Sequence, residues 1–299
     1  MNEPAWMKGP PRRLLLATDL SARCDRALDR AAQLAREWQS TLVVMTVLET
    51  PERPDPLAVP TWPPIETDES RRHLAQRQLQ RDVADLRMPM HVRIAHGDAA
   101  STIGQAAADD GCDLIVTGMA RNELFGRFLL GSTVEQLART VPQPVLVVRN
   151  RAHGRYQRIL VATDFSEASC HALHAAAHFF PGRELIVYHA HTIPFAGTAE
   201  LARDRISHSI EVGECAAFLA GSNLPAEVRG RLQVAIEDGG LESALGRYVR
   251  EHDVDMAVLG THGRTGLMNV LLGSTAARLL HWLPCDTMIV RKPRSSPCG

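Results

Sequence analysis

The chain has 299 residues, 45% of them hydrophobic and 22% charged, which is typical of a soluble protein with about two domains. Its net charge of −1 gives no overall basic field for nucleic acid or an acidic membrane surface, and no apolar run reaches the ~20 residues of a membrane span. The first residues lack the apolar segment of a secretory signal, so we expect a cytoplasmic protein. A reducing compartment also fits the six scattered cysteines, which form no CxxC pair and argue against a disulfide framework: Cys24, Cys112, Cys170, Cys215, Cys285 and Cys298.

Apolar runs of strand length alternate with helical patterns along the whole chain. In the first half we predict a strand at 13–18, a helix at 21–38 with Ser21 as its N-cap, a strand at 41–48, a helix at 67–86, a strand at 90–97, a helix at 101–110, a strand at 113–118, a helix at 132–139 and a strand at 144–149. In the second half we predict strands at 158–163, 184–190, 232–238, 255–260 and 287–291, with helices at 166–180, 194–219, 241–251 and 274–282 between them.

The second half repeats the first. LLLATDLS at 14–21 recurs as ILVATDFS at 159–166, DLIVTG at 113–118 recurs as DMAVLG at 255–260, and LLGST occurs twice in the same order. We therefore divide the chain into a first copy, residues 1–150, and a second copy, residues 151–299. The few extra residues of the first copy fall most naturally in its proline-rich stretch at 50–64, because irregular loops tolerate such changes.

Five strands separated by helices in each copy predict an α/β fold, a parallel doubly wound sheet with helices on both faces. Ligands of such sheets bind at the carboxyl ends of the strands. At 258–280 the second copy has a strand, a glycine-rich loop and a helix in succession. Glycines allow close approach of the backbone, and the N–H groups at a helix start attract anions, so this stretch predicts a phosphate site.

Several residues together resemble the universal stress protein family. They are the ATD triplets ending in Asp19 and Asp164, the fourth strand that ends in glycine, and the signature G-x2-G-x9-G-[ST], complete at Gly260, Gly263, Gly273 and Ser274. The resemblance covers nearly all of both copies and implies a tandem two-domain member. It also implies two flavodoxin/Rossmann-like domains, each with a five-stranded sheet of order 3-2-1-4-5.

The nucleotide-binding branch of that family further implies an ATP site in the second copy, with Mg²⁺ as an optional companion. Carried over by position, the residues implied to bind nucleotide are Asp164, Ala190, Gly260, Gly263, Arg264, Gly273, Ser274 and Thr275. The corresponding first-copy residues are Asp19, Val47, Gly118, Gly131 and Ser132. The first copy has Arg121 in place of the second signature glycine and carries Glu123 nearby, so we expect its nucleotide loop to be degenerate.

These features favour an ATP-binding regulatory protein of the stress response that signals to an unknown protein partner. A slow ATP-hydrolysing enzyme and a nucleotide-free scaffold are the alternatives; no Walker A, GxSxG or HExxH motif occurs. The fifth strand of each copy ends its sheet, so we expect the two to pair into an intramolecular pseudo-dimer, with a homodimer left open.

Two helices have unusual polar patterns. His171, His174 and His178 share one face of the helix at 166–180, and His189 and His191 follow on the next strand; we favour a solvated helix face over a zinc site. The arginine-rich helix at 67–86 is likewise interpreted as solvated rather than as a partner surface. Cys285 and Asp286, in the turn before the last strand, are interpreted as structural.

Overall fold

The computed structural model describes residues 9–22, 24–48, 67–119, 132–191, 200–261 and 272–292, and the side chains of 191 and 200–210 lie outside the description. The strands are β1 (Arg13–Ala17), β2 (Thr41–Leu48), β3 (Met90–His96), β4 (Leu114–Gly118), β5 (Val145–Val148), β6 (Arg158–Ala162), β7 (Glu184–His191), β8 (Leu232–Asp238), β9 (Met256–Gly260) and β10 (Asp286–Val290). The helices are α1 (Asp25–Trp38), α2 (Asp68–Val83), α3 (Ala99–Asp109), α4 (Ser132–Thr140), α5 (Glu167–Phe179), α6 (Glu200–Gly221), α7 (Ala226–Arg229), α8 (Leu241–Glu251) and α9 (Ser274–Trp282).

The strands form one ten-stranded sheet in the order β3-β2-β1-β4-β5-β10-β9-β6-β7-β8. Within each copy the pairs are parallel and the order is the predicted 3-2-1-4-5. The predicted pairing of the two fifth strands is confirmed, because β5 and β10 pair antiparallel with Met288 opposite Leu146. The two predicted five-stranded sheets are thus halves of one continuous sheet.

Helices cover both faces of the sheet, as continuous apolar strands require. On one face, α1, α2, α5 and α6 share a core that runs across both copies. On the other face, α3 and α4 share a core with α9, and α8 packs with α9 on a separate cluster in the second copy. Helix α9 therefore contributes to the cores of both copies, with Ala276 and Leu280 in one and Leu279 in the other.

The helix boundaries correct several predictions. Helix α1 begins at Asp25 rather than after Ser21, because the Ser21 N–H and hydroxyl both donate to the Asp19 carboxylate in a turn that precedes the helix. Helix α2 begins after the N-cap Thr67 and ends at Val83, and its buried Ala75, Leu79 and Val83 anchor an otherwise polar surface. Helix α6 is described from Glu200 to Gly221, the predicted start at 194 lies outside the described residues, and the four-residue α7 was not predicted.

Four cysteines of the described residues are free: Cys24, Cys112, Cys215 and Cys285. Burial raises the pKa of the Cys24 thiol to about 11, so it is a weak nucleophile. Cys170 is buried and disulfide-bonded, which departs from the expectation of a reducing compartment without disulfides and leaves the cytoplasmic location a prediction. No helix within the described ranges is long and apolar enough to cross a membrane.

Candidate functional site

A tight turn at the end of β6 holds Asp164 at the carboxyl edge of the sheet. The Phe165 N–H donates to the Thr163 hydroxyl at 2.9 Å, and the Ser166 N–H donates to the Asp164 carboxylate at 3.1 Å. These bonds stabilise Phe165 at a φ of 60°, which a bulky residue rarely adopts. Ser166 then caps α5 by accepting from the Ser169 N–H. The sequence TDFS thus builds both the turn and the helix start.

Ala190 lies at the same edge, on the neighbouring strand. Strands β6 and β7 pair with Ala162 opposite Tyr188, and the Thr163 N–H donates to the Tyr188 carbonyl at 2.9 Å. Ala190 is two residues further along β7, half-buried against the cluster beneath α8 that also receives Ala162. The structure therefore brings Asp164 and Ala190 to adjacent strand ends.

The start of α9 lies beside the end of β9. Thr261, which follows β9, is buried; its N–H donates to the Val290 carbonyl, and its own carbonyl accepts from the Gly273 N–H at 2.7 Å. This last bond joins the two ends of the glycine-rich loop. Gly273 is the N-cap of α9 and provides no side-chain acceptor, and the Ser274 and Thr275 side chains are exposed. The N-terminal end of α9 thus offers backbone N–H groups and two hydroxyls to an anion.

Gly260 has a packing role that the sequence pattern did not indicate. A Cβ at this position would lie 2.8 Å from the backbone carbon and oxygen of Ala168 and 3.0 Å from the Ser169 nitrogen. Real Cβ atoms essentially never approach so closely, so the glycine lets β9 pass directly beneath the first turn of α5. This contact accounts for a glycine at 260, and its predicted contact with phosphate stays a prediction.

The first copy repeats the turn, with Leu20 and Asp19 in the places of Phe165 and Asp164. Leu20 has a φ of 62° and donates to Thr18, as Phe165 does to Thr163. One carboxylate oxygen of Asp19 accepts from the Ser21 N–H at 2.9 Å, the Ser21 hydroxyl at 2.6 Å and the Cys24 thiol at 3.1 Å. The Asp19 oxygen is thus engaged by its own turn through three donors.

The remaining predicted site residues are placed only in part. Val47 lies half-buried near the end of β2, Gly118 ends β4, and Ser132 begins α4, in the positions that Ala190, Gly260 and Ser274 have in the second copy. Five residues named in the predictions lie outside the described residues, so their roles stay predictions: Gly263, Arg264, Gly131, Arg121 and Glu123.

The histidine-rich helix corrects the interpretation of a solvated face. Helix α5 is buried on nearly all sides, and His171 is fully buried with Nδ1 2.8 Å from the Glu167 carbonyl. His174 donates from Nε2 to the Ser222 carbonyl at 2.6 Å, and burial lowers its pKa. Both imidazoles serve helix packing. No group of three or more metal-ligating side chains occurs within the described ranges.

His189 has a structural role that the sequence pattern did not indicate. Its ring stacks on Phe165 with centroids 4.4 Å apart, Nδ1 lies 2.8 Å from the Thr163 carbonyl, and Nε2 lies 3.0 Å from the Glu211 carboxylate. His189 therefore links the turn that holds Asp164 to helix α6. Strand alternation provided a signal, because His189 precedes Ala190 and must face the opposite side of the sheet.

Comparisons with known proteins agree with this architecture. The model of the universal stress protein family matches residues 11–149 and again 155–291. A universal stress protein of Mycolicibacterium smegmatis is 27% identical over 93% of this chain and 96% of its own length. The crystal structure of a universal stress protein from Archaeoglobus fulgidus has a TM-score of 0.64 at 20% identity, covering 95% of this chain and 97% of that one. A functionally unknown protein from Pseudomonas aeruginosa has a TM-score of 0.66 at 22% identity, covering 97% and 95%.

Proposed function

Because this chain belongs to the universal stress protein family, we propose that it is an ATP-binding regulatory protein of the stress response, with the nucleotide held mainly by its second copy. The observation that carries the proposal is a convergence at one edge of the sheet. The turn holding Asp164, the end of β7 at Ala190 and the uncapped start of α9 all lie at the carboxyl ends of β6, β7 and β9. Ligands of doubly wound sheets bind at this edge.

Each group offers chemistry that suits one part of ATP. The Asp164 carboxylate would accept hydrogen bonds from the ribose hydroxyls, and the main chain at Ala190 would contact the adenine. The first N–H groups of α9 and the hydroxyls of Ser274 and Thr275 would hold the phosphates, since a helix start favours negative charge. Gly263 and Arg264 complete the proposed phosphate loop, and Mg²⁺, a hard cation, would be held by phosphate oxygens.

Regulation of a protein partner would depend on the glycine-rich loop between Thr261 and Gly273. The two ends of this loop are joined where the Gly273 N–H donates to the Thr261 carbonyl, so phosphate bound there would contact the intervening residues and change the surface that they present to a protein partner. The first copy is proposed as the weaker site, because Arg121 replaces the second signature glycine.

Calorimetry of the full chain with ATP tests this proposal. Removing the Ser274 hydroxyl by Ser274→Ala should weaken ATP binding by about 1 kcal/mol, the usual net contribution of a hydrogen bond. Ser243→Ala is the matched control, because Ser243 is an exposed serine in the first turn of α8 whose hydroxyl donates to the Gly240 carbonyl. Absence of ATP binding in the wild-type chain would refute the proposal and favour a nucleotide-free scaffold.

A further inference from the structure

Each copy ends its fifth strand with an arginine that reaches the last helix of the other copy. Arg149, after β5, donates from Nη2 to the carbonyls of Leu280 and His281 at 3.3 and 2.9 Å, in the last turn of α9. Arg291, after β10, donates from Nη1 to the Thr140 carbonyl at 2.9 Å, in the last turn of α4. The last carbonyls of a helix lack intrahelical partners and carry partial negative charge, so both arginines are well-placed caps.

Arg149 is held in place by a buried carboxylate of the second copy. Asp286 accepts from the Arg149 and Asn150 N–H groups at 2.8 and 2.9 Å and from the Tyr156 hydroxyl at 2.6 Å. The Arg30 guanidinium lies 3.6 Å from the same carboxylate and 4.0 Å from the centre of the Tyr156 ring. We refer to Arg30, Arg149, Asn150, Tyr156 and Asp286 as the junction network. It fixes the arginine cap to both copies.

Helix α9 is otherwise packed across the boundary between the copies. Its Ala276 and Leu280 lie in the core cluster of the first copy, and His281 Nε2 is 3.7 Å from the Glu135 carboxylate of α4. The helix has nine residues, which corresponds to a length of about 13 Å. So short a helix is only marginally stable without its tertiary contacts. Because it has fewer than three turns, a displacement of its C-terminal end also displaces its N-terminal end.

We propose that Arg149 is a positioning residue for the phosphate-binding start of α9, so that the first copy sets the affinity of the second copy for nucleotide phosphates. This inference rests on the proposed function. The cap fixes the C-terminal end of α9, the core contacts fix its middle, and its N-terminal end is the one proposed to meet the phosphates. The first copy thereby acts on the nucleotide site without binding a ligand itself.

Arg149→Met tests the proposal, because methionine retains an apolar stem and removes the donors and the charge. We expect the ATP affinity of the full chain, measured by calorimetry, to fall roughly five- to tenfold, the lower part of the range for coupling between sites. The affinity for adenosine should remain unchanged, because adenosine has no phosphate to be positioned. Arg149→Lys retains the charge without the planar fork and should restore part of the loss.

Arg291→Met is the matched control. This variant removes the equivalent cap from α4 at the same boundary between the copies. Helix α4 belongs to the first copy and is not proposed to hold the phosphates, so ATP affinity should not fall as it does in Arg149→Met. Hydrogen exchange of the α9 amides without nucleotide gives a second readout, which should accelerate in Arg149→Met and not in Arg291→Met. Equal losses of ATP and adenosine affinity, or equal effects of the two variants, would overturn the positioning role.

The two levels of the proposal fail in different ways. If the wild-type chain bound no ATP, the proposed function would fail, and hydrogen exchange alone would decide whether Arg149 holds α9. Unchanged α9 exchange in Arg149→Met would then overturn the inference. If the wild-type chain bound ATP and Arg149→Met retained the wild-type ratio of ATP to adenosine affinity, only the inference would fail.

Discussion

Substituting Gly260 with alanine separates a packing role from a ligand role. In Gly260→Ala the new Cβ would meet two backbone atoms of Ala168 at 2.8 Å, whereas ordinary contacts begin at about 3.4 Å. Backbone atoms in the first turn of α5 cannot swing aside as a flexible side chain can. The strand or the helix must therefore shift by several tenths of an ångström, in a region where the core on this face is closely packed.

We expect this strain to lower the free energy of unfolding by about 1–3 kcal/mol, the usual cost of forcing extra volume into a packed core. Urea denaturation of the full chain, followed by circular dichroism, measures the change from the transition midpoint. The shift should also disturb the Ser166 cap and the Asp164 turn at the start of α5. ATP affinity should therefore fall together with stability.

Gly246→Ala provides the control for a glycine-to-alanine change as such. Gly246 lies inside α8, and a Cβ there would meet nothing closer than the flexible Arg250 side chain at 3.8 Å. This variant should be as stable as the wild type or more stable by up to ~1 kcal/mol, because alanine favours a helix. Wild-type stability in Gly260→Ala, combined with a loss of ATP binding, would refute the packing explanation and favour direct contact with phosphate.

Two further changes test the junction network and the Asp164 turn. Asp286→Asn replaces one acceptor oxygen with an amide NH2 group, which would face hydrogen-bond donors in either orientation, so the free energy of unfolding in urea denaturation should fall by about 1–3 kcal/mol; an unchanged value would contradict the network. Burial raises the pKa of Asp286, so the native state binds this proton at higher pH than the unfolded chain, and stability should fall as the pH rises from ~3.9 through the folded pKa. That part of the pH dependence should vanish in Asp286→Asn, and a pH profile identical to that of the wild type would refute the assignment. Thr163→Val leaves the Phe165 N–H without its acceptor in a turn of positive φ, so thermal denaturation should show a loss of about 1–3 kcal/mol, and an unchanged melting temperature would count against the turn.

The sheet was predictable from the sequence because its signals are local and repeated. Strands buried on both faces must be continuously apolar, and β4 and β9 are, so LIVTG and MAVLG identify equivalent strands in the two copies. The pairing of β5 with β10 was predictable for a different reason, since each would otherwise be an exposed edge. The strand order came from the resemblance, and the ten-stranded sheet confirms it.

Other features depend on contacts that no local pattern contains. The start of α1 was misplaced because the Ser21 hydroxyl binds Asp19 instead of capping the helix. The burial of His171 was missed because helical periodicity does not reveal that α5 is covered on nearly all sides. Asp286 joins groups more than 100 residues away, and its only sequence signal was the contrast with Pro144 at the equivalent position of the first copy.

Native mass spectrometry of the full chain with ATP tests the central claim most directly, because it counts the nucleotides bound to each molecule. We expect one ATP per wild-type chain and none in Gly263→Arg, which places the residue of the first loop, Arg121, into the second. The reverse change, Arg121→Gly, should leave the second-copy ATP in place. A wild-type chain without ATP, or a Gly263→Arg chain that still holds one, would contradict the account.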